Sequence, residues 1–289
     1  MDRQRAVVFD IDNTLTPPRR PLTAEMAAAL MSLAVPFHVA AGSDLPLVQE
    51  QFLQPLHSFG FRGEVDAFLC NGSNRYRCVF GAKLSVDLVR DFDFSRHLGV
   101  DTFRRLLESL DDILDRQEFA LPQGVTVIGN RIIDRRSMIN VVPIGRTGGL
   151  PTTVEYRNRA RFVEYDRQSG FRQRLLACLR HELAGLQRDK ALIITLGGQT
   201  SFDLVIEGND KSYAVRSLLE EGYRELLYVG DALFPDGNDG AILAFIAAWN
   251  GGRPCPLQVV PVSDWQETTC RLRNLGLLRE NEDAAGSKE

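Results

Sequence analysis

Lysine is nearly absent from this chain, occurring only at Lys83, Lys190, Lys211 and Lys288, so almost every fixed positive charge is an arginine. A net positive charge is also missing: 38 acidic against 34 basic side chains leave a formal −4, which gives nucleic acid no overall field to bind. No CxxC pair occurs. The cysteines (Cys70, Cys78, Cys178, Cys255 and Cys270) are scattered and odd in number, which argues against a disulfide framework or a zinc cluster and points to free thiols in a reducing compartment. No apolar run approaches the roughly 20 residues that a membrane helix needs, and no leader-like segment precedes the first strand-like run. The expectation is a cytoplasmic protein with neither membrane nor nucleic acid as partner.

What is present is a core-forming chain of 289 residues, 44% of them apolar, long enough for one large domain or two ordinary ones. Its organising stretch is Val7-Val8-Phe9-Asp10-Ile11-Asp12-Asn13-Thr14, a strand-like run ending in two carboxylates one residue apart. The proline-rich segment Pro17 to Pro21 predicts a stiff loop. Thr23 then caps a helix with Met26, Leu30 and Leu33 apolar, ended by Pro36, and Phe37 to Ala41 predicts a second strand leading into Gly42-Ser43. Val65 to Cys70 repeats the strand signal. This alternation predicts a parallel sheet.

After about Arg90 the pattern changes. An amphipathic helix opens at Asp101, and strands are predicted at Val125 to Ile128, Arg131 to Ile133 and Met138 to Val142. A second helix is predicted to open at Ser169 and stop at Gly185, followed by strands at Ala191 to Leu196 and Phe202 to Ile206. Neighbouring strands flanked by helices predict an inserted α+β module with an antiparallel sheet covered on one face. The parallel pattern resumes with a helix from Asp210-Lys211, a strand at Leu226 to Val229 before Gly230-Asp231, an apolar helix Ile242 to Trp249, a strand at Val259-Val260 and a terminal helix Trp265 to Leu278. The tail from Arg279 is expected to fray. The predicted fold class is α/β, with residues 1–90 and 208–289 forming the parallel-sheet core and residues 91–207 the insert.

Asp10 and Asp12, Ser43 and Asp231 each follow a predicted strand, so one sheet edge should gather them. Oxygen-only acids suit Mg²⁺, a hydroxyl beside a glycine can donate to phosphate, and Lys211 supplies a compact cation. Singly, each also reads as a turn, cap or solvated residue. Together they describe phosphoryl transfer.

In this order the chain resembles the haloacid dehalogenase (HAD) superfamily: Asp10-Ile11-Asp12-Asn13-Thr14 matches its first motif, Ser43 its second, Lys211 its third, and Gly230-Asp231 with Asn238-Asp239 its fourth. Arg135 to Arg146, Gly197 to Asp203, Leu15 to Arg19 and Pro235 to Asp239 narrow the resemblance to the eukaryotic-type phosphomannomutases, covering the chain to about Leu278. It implies that Asp10 is phosphorylated and that Asp12 is the general acid/base. It further implies that Asp10, the main-chain carbonyl of Asp12 and Asp231 hold Mg²⁺, and that Ser43 and Lys211 complete the catalytic set. Arg19, Arg135, Arg146, Arg159, Ser201 and Asp203 would hold the sugar phosphate. Three positions depart from that pattern: Asn13 replaces a glycine, Asn209 replaces an aromatic residue, and Phe245 to Asn250 lacks an acid associated with an additional ion.

The resemblance implies interconversion of mannose 6-phosphate and mannose 1-phosphate, with a hexose 1,6-bisphosphate as activator and a homodimer through the cap. A sugar phosphatase of the same architecture is the runner-up reading, and a non-catalytic sugar-phosphate binder a third.

Overall fold

A computed structural model describes residues 4–234, 236–250 and 254–279. The strands are β1 (Arg5–Phe9), β2 (Phe37–Ala40), β3 (Gly63–Leu69), β4 (Asn74–Phe80), β5 (Leu84–Arg90), β6 (Asn130–Asp134), β7 (Ile139–Arg146), β8 (Leu192–Gly197), β9 (Ser201–Ile206), β10 (Glu225–Gly230) and β11 (Leu257–Pro261). Seven of them make one sheet in the order β11-β10-β1-β2-β3-β4-β5, and four make a second in the order β6-β7-β9-β8.

Strand β1 is central and covered on both faces, which is why its sequence is a continuous apolar run rather than an alternating one. Val7 and Phe9 pack on one face with Met26, Leu30 and Phe52, while Ala6 and Val8 face Ala214, Leu218 and Ile242 on the other. From β11 to β3 the pairing is parallel. Strands β4 and β5, which were not expected, extend it antiparallel. The turn that makes this reversal is the expected Asn71-Gly72, with Cys70, Asn71 and Gly72 all at positive φ. A Cβ on Gly72 would lie 2.3 Å from the Asp210 carbonyl oxygen, so that position has no room for a side chain.

The four-stranded sheet is antiparallel and comes wholly from the inserted segment, as expected. One face, including Ile139, Val141, Phe202 and Leu204, packs on Leu106, Leu110, Phe162 and Leu175 of the helices. The alternate residues Asn140, Ser201 and Asp203 face the other way, because successive side chains on a strand point to opposite faces.

Several expected boundaries move. The first helix is Ala24–Met31, capped by Thr23 as expected but ending at Ser32, well before Pro36. Val125 to Ile128 is not a strand: the Asn158 side chain takes both backbone groups of Thr126, donating to its oxygen (2.7 Å) and accepting from its nitrogen (3.0 Å). The helix expected from Asp101 begins at Val100. Ser169 ends the helix Thr153–Ser169, which was not expected, and Gly170 in the left-handed region turns the chain into Phe171–Glu182. Gly185 lies inside a further short helix, Ala184–Lys190. The terminal helix stops at Asn274, and Arg279 donates its backbone N–H to Ser32. The tail expected to fray lies beyond it, outside the described residues. Among the described residues no helix is long and apolar enough to cross a membrane.

Candidate active site

Because β1 runs parallel to β2 and β10, with Phe9 level with Val39 and Val229, the residues after all three leave from one edge. Asp10 emerges there nearly buried, its N–H donating to the Val229 oxygen (2.9 Å). Lys211 arrives just ahead of the helix Ser212–Glu220. Its fully buried ammonium donates to Asp10 Oδ1 (2.8 Å) and to Asp239 Oδ1 (2.6 Å). Asp239, to which no role had been attached, also accepts from the Tyr228 hydroxyl (2.6 Å) and the Ala232 N–H (3.1 Å). Gly230 makes this packing possible, since a Cβ there would sit 2.4 Å from Asp239 Oδ2.

Carboxylate oxygens of Asp10, Asp231 and Asp239 all lie within 4.8 Å of one another. Three acids against one lysine leave an uncompensated negative charge in a buried place. Burial and then the Asp239 carboxylate push Asp231 up to about 6. Burial also raises Asp10 well above the usual carboxylate range, despite the opposing pull of Lys211. An oxygen-only donor set with this excess charge fits a hard divalent cation such as Mg²⁺. The Asp12 side chain stands outside this cluster. Its Oδ1 accepts from the Arg19 N–H (2.7 Å) and from Gln51 Nε2 (2.6 Å).

Guanidinium groups share a cavity with Asp10, Asp12 and Asp231. Arg135 donates to the Gly42 oxygen, Arg146 to Asn140 Oδ1 (3.1 Å), Arg159 to Thr200 Oγ1 (3.0 Å) and Arg19 to the Gly149 oxygen (2.8 Å). Burial pulls Arg146 well below the usual arginine range, and Arg19, Arg135 and Arg159 add to the effect by repulsion. Arg19 is brought down to about 10, first by burial and partly restored by Asp12. The buried Nε atoms of Arg19 and Arg135 have no hydrogen-bond partner among the described residues, although Asp44 Oδ2 lies 3.9 Å from that of Arg135. Crowded, under-satisfied guanidinium forks are an anion receptor, suited to phosphate. Of the three arginines at 157, 159 and 161, Arg159 lines the cavity while Arg157 and Arg161 are exposed.

Asp203 is locked between the two sheets, accepting from Asn140 (2.6 Å) in the insert and from Asn71 (2.8 Å) in the core. Ser201 donates its hydroxyl proton to the Gly197 oxygen (2.6 Å). A single cavity is lined by Asp10, Asp12, Arg19, Ser43, Arg135, Arg146, Arg159, Ser201, Asp203 and Asp231. Lys211 lies beneath its floor and reaches it through Asp10. Every residue singled out from sequence is therefore at this one place or directly under it. Asp239 and Gln51 were not singled out. Asp239 had a signal, being part of the matched fourth motif; Gln51 had none.

Residues 26–247 match the family model of eukaryotic phosphomannomutase. The chain belongs to the eukaryotic phosphomannomutase family. Among curated relatives it is 31% identical over 242 residues to Phosphomannomutase 1 of Homo sapiens, covering 82% of each chain. It is 30% identical over 239 residues to the phosphomannomutase of Schizosaccharomyces pombe, covering 81% of this chain and 82% of that one. As a member of this family, and of the HAD superfamily that contains it, the chain is an enzyme of the phosphohexomutase class. Among solved structures, IMP-bound Plasmodium falciparum IMP-nucleotidase superposes with a TM-score of 0.61 at 14% identity, over 95% of this chain and 68% of that chain. Thermoplasma acidophilum 0175 superposes with a TM-score of 0.51 at 17% identity, over 95% and 99%. These two likenesses concern the fold alone.

Proposed function

We propose that this phosphomannomutase-family chain interconverts mannose 6-phosphate and mannose 1-phosphate through a phospho-aspartate on Asp10. The observation that carries this reading is that one cavity is lined both by the acids Asp10 and Asp231, with Lys211 beneath them, and by four arginines, Arg19, Arg135, Arg146 and Arg159. A hexose bisphosphate has one phosphate for the acids and lysine and a second for the arginines. A cavity serving simple hydrolysis would need only the first.

Residues 1–90 and 208–289 act as the catalytic core and residues 91–207 as its cap. Asp10, Asp231 and Asp239 would hold Mg²⁺, with the Asp12 carbonyl as the further ligand implied by the resemblance. When bound, the ion offsets charge on the phosphoryl group.

An Asp10 oxygen attacks phosphorus of a hexose 1,6-bisphosphate; the new O–P bond forms as the bond to the sugar oxygen breaks. Asp12 gives that oxygen its proton. The resulting monophosphate turns over in the cavity, and its other hydroxyl attacks the aspartyl phosphate while Asp12 takes the hydroxyl proton. Lys211 neutralises Asp10 in the resting enzyme and the phosphoryl oxygens during transfer, and Ser43 donates to one of those oxygens. Arg19, Arg135, Arg146 and Arg159 hold the remote phosphate, and Ser201 and Asp203 the sugar end. Closure of the cap keeps out water that would hydrolyse the aspartyl phosphate. The same reading carries a cytoplasmic location and a homodimer through the cap.

The test is to supply mannose 1-phosphate and Mg²⁺ with and without glucose 1,6-bisphosphate, following mannose 6-phosphate and free phosphate separately. Bisphosphate-dependent formation of mannose 6-phosphate, absent in Asp10→Asn, is expected. Stoichiometric phosphate release indifferent to the bisphosphate would overturn the mutase reading in favour of a sugar phosphatase, and hexose-phosphate binding without turnover in favour of a binder.

A further inference from the structure

The helical segment from Leu45 to Ser58 is interrupted by a wider π turn at Gln49–Leu53. Its cause lies in the sequence. Pro55 has no N–H to give the Gln51 carbonyl, and its ring crowds that oxygen, so the regular ladder cannot pass. The freed Gln51 oxygen accepts instead from the Leu22 N–H (2.8 Å). This pins the residue from outside its own helix.

The Gln51 side chain, fully buried, places Nε2 at 2.6 Å from Asp12 Oδ1 and 2.7 Å from Thr16 Oγ1. Chemistry decides the amide's orientation, because a carboxylate oxygen needs a donor and the Thr16 hydroxyl proton is directed to the Ile11 oxygen (3.4 Å). With the Arg19 N–H at 2.7 Å, Asp12 Oδ1 therefore accepts two N–H donors. Oδ2 accepts from no donor among the described residues, and Asp12 lines the cavity.

We propose that Gln51, carried on the π turn that Pro55 imposes, is a positioning residue for Asp12: it saturates Oδ1 and so confines the transferred proton to Oδ2. This rests on the acid/base reading of Asp12 given above. When the sugar hydroxyl attacks the aspartyl phosphate, its oxygen bonds to phosphorus, the bond from phosphorus to Asp10 breaks, and the hydroxyl proton goes to Oδ2. In the reverse direction Oδ2 returns the proton to the departing sugar oxygen. An Asp12 free to rotate would present the proton at a variable place.

The decisive variant is Gln51→Met, which keeps the volume and removes the donor. Single-turnover phosphorylation of Asp10 is measured from two donors, glucose 1,6-bisphosphate, whose sugar oxygen needs a proton to leave, and p-nitrophenyl phosphate, whose phenolate does not. The variant is expected to lose about tenfold or more on the first relative to the second, as Asp12→Asn does. On mannose 1-phosphate its kcat falls by at least about tenfold with KM nearly unchanged, and Gln51→Glu does not restore it, since a second carboxylate repels the first. Equal losses on both donors, a loss confined to KM, or a kcat matching the parent would overturn the role of Gln51. Retained phosphorylation in Asp10→Asn would instead overturn the phospho-aspartate reading, so the two failures are distinguishable.

Discussion

Arg180 of the inserted segment and Asp236 of the core meet at 2.8 Å across the seam between the two sheets. The Asp236 main-chain oxygen accepts from Leu196 N–H at the same place (2.8 Å), so β8 is hooked onto the loop that follows Asp231. The charged pair is partly exposed and worth at most about 1 kcal/mol to folding. Arg180→Ala is therefore expected to leave stability almost unchanged while loosening the hold of the inserted segment on the core, and with it the water exclusion that the proposed function requires. The measurement is the ratio of free phosphate to hexose phosphate product, which should rise several-fold; an unchanged ratio would show that this contact does not govern water exclusion.

Lys211→Met tests the buried charge balance. Burial disfavours the Lys211 charge, but the carboxylates of Asp10 and Asp239 outweigh it and push its pKa up, so the lysine keeps its charge throughout the neutral range. Removing the ammonium strands two buried acids, and breaking a pair of this kind is destabilising by about 3–5 kcal/mol. Denaturant unfolding with EDTA present should report that loss, and added Mg²⁺ should recover part of it. Full stability in EDTA would mean that the acids are protonated or solvated instead.

Asn13 ties Asp231 to the chain before the last helix. Its Nδ2 is 3.0 Å from Asp231 Oδ2 and 3.0 Å from the Ser263 oxygen, and its own φ of 61° lies in the left-handed region that glycine also adopts freely. Asn13→Gly keeps the backbone and deletes both hydrogen bonds. Loss of about 1 kcal/mol of Asp231 positioning corresponds to roughly fivefold weaker Mg²⁺ binding. Calorimetric titration of Mg²⁺ reads this directly, and identical isotherms would refute it.

Thiol reactivity should follow burial. Burial pushes the Cys70 thiol up to about 11 and Cys78 to about 12, whereas Cys270 is exposed. Thiolate is the reactive form, so at pH 8 Cys270 should be modified fast and Cys70 and Cys78 only after unfolding. Peptide mapping of partially labelled protein decides the order; early modification of Cys70 would contradict the buried environment at the junction of the two sheets.

The helix Thr153–Ser169 shows what the chain conceals. It is rich in Arg and Glu and buries little beyond Glu155, Asn158 and Phe162, so no broad apolar stripe marks it. A local signal did exist in Thr152 and Glu155, which form a capping box. Strands β4 and β5 were hidden for other reasons: β4 buries the polar Asn74 and Arg75 and so shows no apolar run, and β5, at the sheet edge, is largely exposed.

The chain by itself determined the acids at strand ends, the parallel alternation around β1 and the existence of an insert, because each depends on residues adjacent in sequence or on a repeated hydrophobic period. Only the tertiary structure decided that Asp239 shares Lys211 with Asp10 and that Gln51 reaches Asp12. Those relationships join segments 28 to 201 residues apart for the lysine pairs and 39 residues apart for the glutamine. No local period encodes such distances. They are set by how β1 packs between its parallel neighbours and by where the antiparallel sheet meets their carboxyl ends around one cavity.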